Sequence, residues 1–328
     1  MTTPATNTET TPTPPNPHLE TLLKTGILHL PAFLPPSTLS PLLTAARNLT
    51  TLARAALWPH VRTVGKQFPP WPLSAPGVPP EEGIWGVQHL LHPDLPLTEE
   101  ERGVIAGVYF GGEMRGVVAE LVGGGGEGLV MELFNMLVRP GREDGGGGFE
   151  LGWHRDDVPA SVGAEEEGKR LGVGEDGRWE REERGYVHTQ WNLALVEEES
   201  LVVVPGSHRR VRTEVERKVG PYEELPGQVV VRMKPGDVVF YDNNILHRGV
   251  YDGSKERFTL HGSVGRVGGS KERARNVLQH GVGEWVDRCD FSVLGDGRER
   301  EAAEGMRERL VEMGRENQGR EVGYSLEG

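Results

Sequence analysis

The sequence predicts a β-rich α+β fold: an antiparallel sandwich or barrel of the jelly-roll or cupin kind, with helices at both ends. Two observations carry this. From Leu129 the apolar period drops to two residues, and about seven short apolar runs follow, divided by Gly, Pro and Asn turns. On either side the apolar spacing is helical, and 328 residues suffice for one large domain with appendages.

In chain order, HLETLLKTGILHLPAFLPP reads as a short helix, a Gly turn and a strand, and SPLLTAARNLTTLARAAL as a helix capped by Ser40. Pro59 to Leu97 is rich in Pro and Trp, has little periodicity and reads as loop. TEEERGVIAGVYFGGEMRGVVAELV reads as one helix opened by Thr98, with acidic residues in its first turn. LVMELFNMLVRPG is a buried strand, GREDGGGG a flexible turn and FELGWHRDDV the next strand. Residues 159–185 are a charged, Gly-rich insertion that reads as a solvated loop or a mobile lid. The strands YVHTQWNLALV, SLVVVPGSH, QVVVRMKPG, DVVFYD and RFTLHGS follow, and two helical stretches close the chain. The expected division is a disordered Thr/Pro-rich tail at 1–17, a domain at 18–265 and a helical extension at 266–328.

Composition excludes several classes. Lys plus Arg number 36 against 49 Asp plus Glu, a net charge of −13 that repels nucleic acid and anionic membranes. The single cysteine, Cys289, allows no intrachain disulfide framework. No apolar run is long enough to span a bilayer, and the N-terminus lacks the basic and apolar regions of a secretory signal, so an intracellular, cytoplasmic location is expected. The Gly-rich runs lack the following Lys-Ser/Thr of a phosphate loop.

The chemistry is carried by three motifs. Residues two apart on a strand share a face, so His154 and Asp156 of GWHRDDV project together. Alone, this pattern also fits a polar surface strand. A second histidine, His247 in KPGDVVFYDNNILHRG, would complete a two-histidine, one-carboxylate metal face with open positions, the iron(II) oxygenase arrangement. In RFTLHG, alternation puts Arg257, Thr259 and His261 on one face. A buried arginine there needs an anion, and its planar fork beside a threonine hydroxyl suits a carboxylate. A structural ion pair with one of the chain's own acidic residues satisfies Arg257 equally well. His208 reads as a turn residue, His261 as a packed histidine, and Asp157 as facing away from the metal.

The strings WHRDD, WNLALVEEESLVVVPGSHRR, KPGDVVFYDNNILHRG and RFTL, with the N-terminal LLKTGILHLPAFLPPSTLSPL, resemble the phytanoyl-CoA dioxygenase family from about His18 to Gly265. The resemblance implies a double-stranded β-helix, iron(II), 2-oxoglutarate and dioxygen. It implies His154, Asp156 and His247 as metal ligands and Arg257 as the grip on the co-substrate, beside which alternation already places the Thr259 hydroxyl. Trp191 resembles a position lining the co-substrate pocket, and Asn135 is a further candidate there. The expected activity is hydroxylation of a small organic substrate. Halogenation is disfavoured because Asp156 fills the position a halide would need. The insertion at 159–185 departs from the family, and with the net charge it argues against phytanoyl-CoA as the substrate. The alternatives are a non-catalytic jelly-roll binding module and a cupin-like metalloenzyme that does not use 2-oxoglutarate.

Overall fold

The computed structural model describes residues 16–63, 84–123, 126–139, 149–181, 185–269 and 271–316. The tail before Asn16, the Gly-rich turn at 140–148 and the last residues from 317 lie outside the described residues.

The strands are β1 (Ile27–Leu30), β2 (Val61–Thr63), β3 (Ile84–Val87), β4 (Leu129–Arg139), β5 (Phe149–Glu150), β6 (His188–Ala194), β7 (Leu201–Val204), β8 (Val229–Val230), β9 (Val238–Tyr241), β10 (Leu246–Tyr251) and β11 (Arg257–Arg266). The helices are α1 (Pro17–Thr25), α2 (Pro36–Arg54), α3 (Glu99–Phe110), α4 (Gly112–Val122), α5 (Ala164–Leu171), α6 (Glu214–Lys218), α7 (Lys271–Gln279) and α8 (Arg298–Arg315). Two antiparallel sheets result, one of seven strands in the order β1-β9-β6-β11-β4-β3-β2 and one of four in the order β5-β10-β7-β8. This is a mixed α+β arrangement with flanking helices, as the periodicity predicts.

Local chemistry accounts for the helix ends. Asn16 accepts from the Leu19 amide and Gly26 closes α1 in the left-handed region, while Thr98 and Glu101 form a reciprocal capping box on α3. The helix expected to start after Ser40 starts at Pro36, where a proline loses no bond because a first-turn amide has no intrahelical partner. The single helix expected from Thr98 is two, because Gly111 takes an extended conformation (φ −61°, ψ 151°) between them.

Other departures concern strands. The segment read as loop from Pro59 to Leu97 contains β2 and β3, which extend the large sheet through Gly86↔Leu137 and Val87↔Met136. Strands of three or four residues are too short to show a period. The run at 228–236 shrinks to the two residues of β8 plus a bridge between Glu198 and Met233.

Helices cover one face of the seven-stranded sheet. Tyr109, Phe134, Trp191, Ala303, Met306 and Leu310 belong to one apolar cluster, so the C-terminal helices share the sheet's core. Ala194, Leu201, Val203, Val239 and Ile245 pack between the two sheets, and the polar interior lies beyond them. Among the described residues no helix is long and apolar enough to cross a membrane.

Candidate metal centre

His247 lies within β10, where Asp242, Asn243 and Asn244 make the turn from β9 and the Asn244 amide donates to Asp242 Oδ1 at 2.7 Å. The segment expected to be one strand over 149–158 is β5 plus irregular backbone running beside β10. Leu151 donates to the Gly249 carbonyl at 2.8 Å, and His154 and His247 exchange backbone bonds of 3.0 and 3.1 Å. Past that bridge the chain leaves the ladder, and the Asp156 amide turns to the Asn243 carbonyl at 2.9 Å. The backbone of 151–156 thus hangs on the strand that carries the second histidine.

The result is convergence. His154 Nε2 lies 3.7 Å and His247 Nε2 3.6 Å from Asp156 Oδ1, too long for hydrogen bonds. One ligand atom from each of the three residues lies within 4.8 Å of the others. His154 Nδ1 bonds the Gly152 carbonyl at 2.7 Å and His247 Nδ1 the Ile245 carbonyl at 2.8 Å. A carbonyl only accepts, so each Nδ1 carries the proton and each Nε2 presents a lone pair to the common centre. Gln190 Nε2 donates to Asp156 Oδ2 at 3.0 Å, which leaves Oδ1 for the centre. Burial raises the Asp156 pKa, but His247, His154 and the Gln190 amide outweigh it and hold the carboxyl below its ordinary range. Burial and the neighbouring His154 hold His247 down at about 4, so its imidazole is neutral. Two imidazoles and one carboxylate on one side of a centre fit a divalent cation such as iron(II). Asp157 turns away and accepts from Asn243 Nδ2.

The wall beyond the triad is polar. His261 Nδ1 bonds Asn192 Oδ1 at 2.9 Å, and Asn135, opposite His261 in the β4–β11 register, accepts from the His89 amide at 3.0 Å. Burial lowers His261 to about 4, so it is a packed neutral histidine. Burial lowers the pKa of Arg62, from β2, and the charges of Tyr251 and Asp156 offset part of that.

Arg257 and Thr259 do meet on one carboxylate oxygen, and it belongs to the chain. Arg257 Nε donates to Glu198 Oε2 at 3.0 Å and Thr259 Oγ1 to the same oxygen at 2.8 Å. The guanidinium also lies 4.6 Å over the Tyr251 ring. Glu198 Oε1 accepts from the Ser200 amide at 2.7 Å and from the Ser200 hydroxyl.

Trp191 corrects the sequence reading. On β6, Gln190 and Asn192 face the interior, so alternation turns Trp191 to the helical side. There it is fully buried against Phe134 (ring centroids 5.4 Å) and Tyr109 (6.4 Å), with Gly262 opposite in register. It is core and does not line the metal pocket.

The charged insertion is described over 159–181. Its helix α5 carries Glu167, which is fully buried and accepts from Arg155 Nε at 3.1 Å, Arg212 Nη1 at 2.7 Å, the Arg212 amide at 3.1 Å and Arg217 Nη2. Arg155 stands between two metal-site residues. Its guanidinium also donates to the carbonyls of Ser207 (3.0 Å), Arg210 (3.1 Å) and Asn244.

Sequence reading missed Gln190, Asn192, Arg62, Arg155 and Glu198. The alternation of Gln190 and Asn192 with Trp191 and Leu193 carried a signal for the first two. Nothing in Glu197-Glu198-Glu199 distinguishes the middle residue.

No family model and no curated protein matches this sequence. Among solved structures, EctD from S. alaskensis is similar at 19% identity and a TM-score of 0.50, over 76% of this chain and 75% of that one; its structure holds 2-oxoglutarate and 5-hydroxyectoine. HygX from Streptomyces hygroscopicus, with nickel and 2-oxoglutarate bound, is similar at 14% identity and a TM-score of 0.49, over 78% of this chain and 88% of that one. The likeness to EctD is one of fold: an antiparallel double-stranded β-helix with flanking helices.

Proposed function

We propose that this protein is an iron(II)- and 2-oxoglutarate-dependent oxygenase, similar to the phytanoyl-CoA dioxygenase family. It hydroxylates an unactivated C–H bond of a small organic substrate and releases succinate and carbon dioxide. One observation carries this: two imidazoles fixed through Nδ1 and one carboxylate oxygen freed by Gln190 aim at one point. Iron held by His154, Asp156 and His247 supplies, with 2-oxoglutarate and dioxygen, the oxidising power for the C–H bond. The chain's own residues do the positioning. The carbonyls of Gly152 and Ile245 fix the two imidazole tautomers. Arg257 and Thr259 receive the distal carboxylate of 2-oxoglutarate, and Asn135, His261 and Asn192 give the pocket a polar wall. EctD, which shares the fold, has been seen with 2-oxoglutarate, which supports the co-substrate assignment.

A CoA thioester is not favoured. Its phosphates call for free cations, yet Arg212 is buried on Glu167, and Arg210 is committed to Glu216 through bonds of 2.6 and 2.7 Å.

The test is anaerobic loading with iron(II), followed by measurement of bound iron and of succinate formed from 2-oxoglutarate. Replacing His154, Asp156 or His247 by Ala should each cut both by roughly 100-fold or more, at or beyond the ~10–100-fold typical of outer partners. A variant that keeps its iron and its turnover removes that residue from the triad. A second reading, a cupin-like metalloenzyme without 2-oxoglutarate, is favoured by the engagement of Arg257 with Glu198. On that reading Arg257→Ala retains activity, whereas on the first it loses 2-oxoglutarate.

A further inference from the structure

We propose that Glu198 is a built-in competitor for the distal carboxylate of 2-oxoglutarate, displaced when the co-substrate binds, and that it sets selectivity between 2-oxo diacids and 2-oxo monoacids. The inference rests on the 2-oxoglutarate reading of the site.

Geometry is the first argument. The two donors a distal carboxylate needs, Arg257 Nε and Thr259 Oγ1, both end on Glu198 Oε2. A carboxylate of the chain therefore already makes the contacts that a carboxylate of the co-substrate would make. The two anions cannot share one buried arginine without strong repulsion, so one must leave.

Glu198 is built to be the one that leaves. Its backbone is fixed by paired bonds to Met233 of 3.0 and 2.8 Å, so displacement needs only rotation of the side chain. A cavity of about 360 Å³ reaches both Glu198 and Arg257, and cations (Arg139, Arg232, Lys255) and acids (Glu199, Asp252, Glu256) both line it. A displaced carboxylate therefore turns into an open, polar space of mixed charge, and no bare charge is left in the core. Oε1 has its own partner in Ser200, which tethers the side chain near the mouth of the cavity.

The consequence is asymmetric. A 2-oxo acid with a distal carboxylate must break the Glu198 contacts before it makes its own. One that lacks it meets no competitor and gains nothing from Arg257.

The test is calorimetric titration of the full chain loaded with manganese(II), which is redox-silent here. The ligands are 2-oxoglutarate and 2-oxobutyrate, and the proteins are wild type, Glu198→Gln and Glu198→Ala. Gln keeps an acceptor for Ser200, and unliganded melts of both variants check the fold. Loss of the competitor should tighten 2-oxoglutarate by about tenfold or more, the scale of one charge-assisted hydrogen bond, with 2-oxobutyrate unchanged. Unchanged or weaker 2-oxoglutarate binding in both variants, with wild type binding normally, overturns the role of Glu198. Equal tightening of both acids overturns it too, as a general loosening of the pocket. Binding of neither acid by any of the three proteins overturns the 2-oxoglutarate reading, and the competitor role with it.

Discussion

Glu167 and Glu198 are both buried glutamates facing arginine, yet they are different devices. Glu167 has no exposed side-chain surface and meets three guanidinium groups. All three arginines also donate to backbone carbonyls, Arg155 to Ser207, Arg210 and Asn244, Arg212 to Val158 and Arg217 to Val162. Glu198 meets one arginine and two hydroxyl groups, and a cavity reaches it. Charge compensation and water access, more than depth, separate a fixed ion cluster from an exchangeable pair. The first fastens the insertion to the segment carrying His154 and Asp156. The second, on the proposed function, gives way to a ligand.

The largest effect should come from the fixed cluster. Glu167→Ala leaves three arginines facing one another and should cost ~3–5 kcal/mol of stability, read from urea unfolding. Iron affinity should fall as well, because Arg155 sits between His154 and Asp156 and loses its anchor. A loss as small as that of an exposed ion pair would break the distinction between the two glutamates.

Acid should test a third kind of buried site, one built on histidine. His92 packs with Trp58, His60 and Trp285, and burial, with His60 beside it, lowers its pKa to about 4. The folded state therefore binds the proton less well than the unfolded chain. The stability from neutral His92 is present above the unfolded value of ~6.5 and is lost as pH falls toward the folded value, by ~1.4 kcal/mol per pH unit. His92→Gln should flatten that slope by one imidazole's share in a pH series of unfolding curves. An unchanged slope would mean that His92 is protonated in the folded state.

The smallest effect should come from the surface of the same helix. Lys169 and Glu165 form an exposed pair at 2.8 Å, two residues from Glu167 on either side. Lys169→Ala should leave the unfolding midpoint where it is. A shift comparable with that of Glu167→Ala would show that the helix, and not the buried charge, carries the stability.

Much of this was legible in the sequence, and the limits have physical causes. The strands β4, β6, β7, β9 and β11 announce themselves as short apolar runs between turn residues, and the H-x-D and His247 motifs meet as spacing implies. Thr259 and Arg257 share a face for the same reason. Which anion they hold is a matter of three dimensions, because Glu198 arrives from a turn 59 residues away from Arg257 in sequence. The strands β2 and β3 are too short to carry a period, so Arg62 stayed hidden in a stretch of Pro and Trp. Trp191 was misread because a family-like position was followed where the period-two rule pointed the other way. The insertion is largely exposed over its described residues, as its charge implies, and no local pattern marks Glu167 among Glu165, Glu166 and Glu167 as the one that turns inward.

One contact constrains how this chain can diverge. Gly262 lies across from Trp191, and a Cβ built on Gly262 would overlap the indole ring. Neither position can therefore drift alone. A side chain at 262 is admissible only after the indole has shrunk, and a smaller ring at 191 without one leaves a void beside Tyr109 and Phe134. Substitutions at these two sites are expected as compensating pairs, a correlated signature that descendants of this sequence would carry on the side of the sheet remote from the chemistry.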